Sequence, residues 1–289
     1  MVYIFLCVCC SVAVSVLLKL AKRYQVDIFQ AITWNYSIAI ILTWIFLKPQ
    51  LTNLHSSPFY IYSLLGFLLP LLFVVIAISV TTNGIIRTEI AQRLSLFIPV
   101  IASFLLFGEH LTLLKSAGII IGFAAIVCSI PLNKQRSPNK RGTANGWAYL
   151  LVVFAGMGVI DILFKQMAVH NSVSFSTSLF LVYIISFVLA MFGLLYRFGS
   201  KKSKFSWPHI LFGWILGVFN FGNILFYIKA QQSMYKTPSL VFSSVDIGVI
   251  ALGSVVGILI FKEKLSLVNK IGIGLALIAI IIFYCPNLF

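Results

Sequence analysis

Ten runs of apolar residues, each long enough to cross a bilayer, leave this chain few folds to choose from. They fall at about 2–21, 29–47, 59–80, 84–107, 112–130, 146–168, 175–196, 209–230, 237–261 and 266–284. Inside hydrocarbon every backbone N–H and C=O must find its partner within the protein, and these runs lack the alternation of barrel strands. They predict an all-α integral membrane protein with ten transmembrane helices. A chain that is 61% hydrophobic and 9% charged, with mean hydropathy +1.06, has no room for a sizeable soluble domain.

The net charge of +15 sits between the apolar runs rather than in one block, so lipid headgroups, not nucleic acid, are its expected counter-charge. Cys7, Cys9, Cys10, Cys128 and Cys285 lie within or at the ends of the runs without the spacing of a metal or redox site, and read as small buried hydrophobes. The amino-terminal run has no basic leader and no small-residue cleavage site, and reads as a retained first span.

One connection differs from the rest. Residues 133–145, NKQRSPNKRGTAN, are polar and basic and separate two units, 1–132 and 146–289, of five spans each. FGEHLTLLKSAGIIIGFAAI from Phe107 aligns without gaps with FKEKLSLVNKIGIGLALIAI from Phe261, matching Glu109 to Glu263 and Gly118 to Gly272. Upstream, SVLLKLA around Lys19 lies over DILFKQMA around Lys165, and LLG at 64–66 over ILG at 215–217. Because five is odd, two such units must cross the membrane in opposite senses, as in the inverted repeats of alternating-access transporters.

The motif F-x-E-x-L-(S/T)-L-x(4)-G-I closing each half resembles the drug/metabolite transporter superfamily, in particular its ten-helix EamA-type members. Pro99 in span four and TPSLVFSSVDIG opening span nine are similar to that family too. The resemblance covers nearly the whole chain. It implies a gradient-driven transporter of small organic metabolites or drugs, with export the expected direction, in a cell (inner or plasma) membrane. Substrates across the family are too varied for the resemblance to name one. The basic loops after spans one, three, five, seven and nine put those loops in the cytoplasm and both termini outside, whereas the resemblance implies cytoplasmic termini.

Charge at bilayer depth marks the candidate site. Arg93 and Asp246 each fall ~14 Å into their spans, near the midplane, where an ionised side chain needs a partner or a hydrated cavity. In the repeat Asp246 corresponds to Gln92, so Arg93 and Asp246 are expected to approach each other, as a static pair or as one that stabilises a single conformation. Asp246 is the candidate for coupling to a proton gradient. Asp161 and Lys165 share a helix face and can pair, though Lys165 lies near its helix end and is expected to snorkel to the headgroups. Asp161 corresponds to Ser15. The four-helix small multidrug-resistance relatives carry an acid on the first helix, so its absence here argues against a symmetric carboxylate pair.

Glu89 and Arg93 are one turn apart and can neutralise each other, leaving Arg87 as an interfacial anchor or as a grip for a carboxylate or phosphate. Asn35, between Trp34 and Tyr36, is a candidate cavity residue, and Asn220 and Asn223 share a face suited to interhelical hydrogen bonds or solute contact. Tyr227, Trp44, Trp147 and Trp214 read as belt or packing residues. Glu109 and Glu263 are expected to open spans five and ten in structural roles. With Pro99, Gly118 and Gly272 they make the family-motif set.

No HExxH, Walker loop or nucleophile elbow is present, and the sequence points away from an enzyme, a metal or a cofactor. The expected partners are a small-molecule solute and membrane lipids, with the chain a monomer or homodimer. The competing function is a flippase-type carrier of a lipid-linked sugar or phosphate, which a basic lateral opening at Arg87 would favour.

Overall fold

Helices run where the apolar runs put them. The computed structural model describes residues 2–24, 26–50, 59–83, 85–110, 112–129, 146–169, 174–200, 205–261 and 267–284. Among them are α1 (Val2–Arg23), α2 (Ile28–Leu42, continued by a π-helical turn Thr43–Leu47), α3 (Phe59–Asn83), α4 (Ile85–Leu94), α5 (Phe97–Leu105) and α6 (Leu113–Ser129). They continue as α7 (Gly146–Val169), α8 (Phe175–Gly199), α9 (Trp207–Ser233), α10 (Pro238–Phe261) and α11 (Leu267–Tyr284). Local chemistry sets several ends. Asp27 caps α2 through the Phe29 N–H at 2.9 Å, Pro238 opens α10 where no backbone donor is needed, and Lys48 leaves the π-helical turn in the left-handed region at φ 42°.

Six helical segments among the described residues are long and apolar enough to cross a membrane: Ile28–Leu47, Phe59–Val80, Trp147–Val169, Phe175–Gly199, Trp207–Ser233 and Pro238–Gly257. Their outward faces carry large apolar side chains such as Phe46, Phe67, Phe192, Leu211 and Val255, as a lipid-bathed surface requires. Trp44, Trp147 and Trp214 are exposed, in keeping with a belt. Tyr227, read with them, is buried, as is Tyr36 beside Asn35.

Close approaches are made over small residues. A side chain at Gly213 or Gly217 of α9 would strike the α2 backbone at Ala31 or Asn35, and one at Gly66 of α3 would strike Ile185 of α8. Gly248 of α10 lies against Val8 of α1. Gly118 and Gly272 are buried in α6 and α11, which pack on each other around Ala125, Ala276 and Ala279. The helix ends are also fixed. Arg197 near the end of α8 stacks 3.9 Å over Phe29 at the start of α2, and Thr177 at the start of α8 donates to the Gln50 carbonyl at 2.9 Å.

Span four departs from the expected single helix. Pro99 cannot donate to the Ser95 carbonyl, and its ring crowds that oxygen. Ile98 N takes the carbonyl instead at 3.0 Å, Leu96 N reaches back only to Arg93 at 3.4 Å, and the chain tightens between α4 and α5. Pro70 sits inside α3 without ending it. The carbonyl it abandons, Gly66 O, accepts the Ser186 hydroxyl of α8 at 3.1 Å.

Candidate functional site

Helix α9 carries four polar side chains at 220, 223, 227 and 231, steps of three, four and four that keep them on one face for ~16 Å. Each meets a different surrounding. Asn220 donates to Asn35 of α2 at 3.1 Å, and Asn35 is only 2% exposed. Asn223 donates to the Ser11 hydroxyl of α1 and accepts from the Cys7 thiol at 3.6 Å. The Tyr227 hydroxyl donates to Asp161 of α7 at 3.0 Å. Gln231, wholly buried, lies within loose reach of the Tyr227 hydroxyl, and neither of its amide atoms makes a hydrogen bond of ordinary geometry.

Asp246 of α10 completes the cluster, half-buried and near enough to Asp161 and Cys7 for its charge to be felt by both. Arg93, at the end of α4, is within the same electrostatic reach of Asp246. The two make no ion pair within 4.0 Å, so the expected approach is a neighbourhood rather than a contact. Gln92 is half-buried beside Arg93, and its carbonyl accepts the Ser95 hydroxyl at 2.6 Å. The side chains of Arg87 and Glu89, hence their pairings, lie outside the described residues, as do Glu263, Cys285 and the 133–145 connection.

Two expectations are corrected. Lys165 neither snorkels nor pairs with Asp161. It is 1% exposed, and its ammonium donates to the carbonyls of Tyr235 at 3.0 Å and Gln231 at 3.4 Å, at the carboxyl end of α9. A cation there satisfies carbonyls that have no partner within the helix and complements the helix dipole. Glu109 does not open α6, which starts at Leu113. Its carboxylate accepts the Ser239 N–H at 2.9 Å and the Ser239 hydroxyl at 2.6 Å, and pairs with Lys115 at 3.0 Å. It therefore caps α10 from another part of the chain.

Tyr227, Gln231, Ser11 and Cys7 are the site residues that sequence reasoning passed over. The signal for the first two was available, because extending the Asn220–Asn223 spacing by whole turns lands on both. Ser11 and Cys7 follow only from the packing of α1 on α9. Among the described residues no group of three or more His, Cys, Asp or Glu could hold a metal ion.

No protein-family model matches the chain. A solved crystal structure shares the fold with a TM-score of 0.77, over 99% of this chain and 96% of its own, at 13% identity. An uncharacterized protein of Haemophilus influenzae is 41% identical over 284 residues, spanning 95% of this chain and 94% of its own length. With that identity over nearly both full lengths, the chain belongs to the same family as the Haemophilus protein.

Proposed function

We propose that the chain is a secondary active transporter of a small organic solute, an EamA-type member of the drug/metabolite transporter superfamily working by alternating access in a cell membrane. The six long helices and the shorter apolar segments Val2–Leu18, Ala91–Leu105, Lys115–Cys128 and Lys270–Ala279 make ten spans in this reading. The pattern of packing supports two inverted five-span units. Helix α1 packs on α9 and α10, while α7 packs on α3 and on α4 and α5. Helix α2 packs on α9 as α8 packs on α3, and α2–α8 and α6–α11 pair with each other. Exchanging the halves maps this set of contacts onto itself.

The observation that carries the function is the polar face of α9, met by Asp161 and Asp246 within spans that are otherwise apolar. Buried carboxyl groups and amides cost stability in hydrocarbon and are kept where a solute or ion must be held. A carboxyl group can also gain or lose a proton in place, which gives the site a means of coupling to a proton gradient. The test is flux of a metabolite and amine panel into proteoliposomes under an imposed pH difference. Wild type is expected to show proton-driven flux, and Asp246→Asn, purified in the same folded yield, to lose at least ~10-fold of it. Equal flux in both would remove Asp246 from the coupling step, and no flux of any soluble solute would turn the reading toward a lipid carrier.

A further inference from the structure

Among the described residues, Gln231 is the buried side chain with two polar atoms lacking a hydrogen bond of ordinary geometry. It is fully buried, and what it has within looser reach is the Tyr227 hydroxyl one turn away, the same hydroxyl that donates to Asp161. Buried amides are almost always satisfied, because an unmade hydrogen bond forfeits the hydration the group had in water. Ser243 of α10, three residues before Asp246 on the same face, is also buried with its hydroxyl unpartnered. The nearest ammonium, Lys165, is committed to the carbonyls that end α9.

We propose that Gln231, Tyr227 and Asp161 form the subsite that selects the solute, and that it takes a primary ammonium with a neutral carbonyl or carboxamide about one helical turn away. The inference rests on the transporter reading and names its substrate class. Asp161 and Asp246 lie within electrostatic reach of each other, and the reach of Arg93 is to Asp246, so a group entering beside Asp161 meets acids, which favours an ammonium over a carboxylate. The Gln231 amide offers an NH2 donor group and a carbonyl acceptor about 5–6 Å further along the same helix face, the spacing of residues four apart. A site built to hydrogen-bond a polar group discriminates strongly against an analogue lacking it, since its own buried partner is then left unpaired.

The test is equilibrium binding to the purified full-length protein in nanodiscs, by calorimetry, with 4-aminobutanamide and with n-butylamine, which lacks the amide. Wild type is expected to bind 4-aminobutanamide ~10-fold or more tightly than n-butylamine. In Gln231→Met, close to Gln in shape but without hydrogen-bonding groups, that ratio falls toward one. If the Met variant does not yield folded protein, Gln231→Asn, which withdraws the amide by one methylene, is expected to lower the ratio part of the way. Asp161→Asn weakens both amines by more than ~10-fold. A preference that survives at Gln231→Met, or wild-type protein that binds neither amine, would overturn the proposal. Binding with the predicted preference but no proton-driven flux would instead sink the transport reading and leave the subsite standing.

Discussion

The runs expected as spans four and nine each carry a charge well inside an apolar stretch, and they are built in opposite ways. The first is broken into α4 and α5 just after Arg93, while the second, α10, runs without interruption from Pro238 to Phe261 past Asp246. In the repeat alignment Pro99 of α5 stands opposite Gly253 of α10. Glycine keeps the N–H that proline lacks, so α10 can close its hydrogen-bond ladder and α4–α5 cannot. The start of α10 is held as well, by Glu109, which arrives from elsewhere in the chain to cap Ser239; Glu263, its counterpart in the repeat, lies outside the described residues. The contrast separates a segment able to bend next to its charge from one held straight and clamped at its end.

Proline alone does not explain the break, as α3 demonstrates. Pro70 leaves its helix continuous because Ser186 satisfies the orphaned Gly66 carbonyl from the neighbouring helix. At Pro99 the orphaned Ser95 carbonyl is taken by the backbone of Ile98, so the rescue itself changes the chain's path. Whether a proline bends a membrane helix is therefore decided by which group reaches the abandoned carbonyl.

The difference between the two spans can be attacked directly. Gly253→Pro would give α10 the defect of α5 by removing a donor to the carbonyl four residues back. Thermal unfolding in detergent is expected to show a loss of about 3 kcal/mol or more. A loss below ~1 kcal/mol would mean that the continuity of α10 contributes little. Glu109→Ala would leave α10 continuous but uncapped, withdrawing a buried carboxylate from the Ser239 N–H, the Ser239 hydroxyl and Lys115. The expected cost in the same assay is about 2 kcal/mol. An unchanged midpoint would show that water or another group replaces the cap without loss.

Helix limits were legible from the apolar runs because lipid permits only helices and sets their length; nine of the ten expected spans correspond to one helical stretch each. The break in span four was not, although Pro99 was plain to see, because the outcome depends on the hydrogen bonds around Ser95. Lys165 was misread for a related reason. A lysine near a helix end usually reaches for headgroups, and only the placement of α9 shows a row of free carbonyls within its reach. Glu109 looked like the first acid of its own following helix, and its partner Ser239 lies 130 residues away. On α9 the residues were readable from their spacing, but their partners on α1, α2 and α7 were not.

If the chain is a transporter, the polar face of α9 lines a water-accessible path. The direct measurement places a single cysteine at Asn223, in a chain whose five native cysteines are replaced by alanine, and compares it with one at lipid-facing Val218, 47% exposed on the same helix. Both are challenged in sealed vesicles with a membrane-impermeant maleimide. Asn223→Cys is expected to be labelled at least ~10-fold faster than Val218→Cys, since a thiol facing hydrocarbon is shielded from a charged reagent. An Asn223→Cys that stays silent, or reacts no faster than Val218→Cys, would mean that the stripe is interhelical packing and not a path.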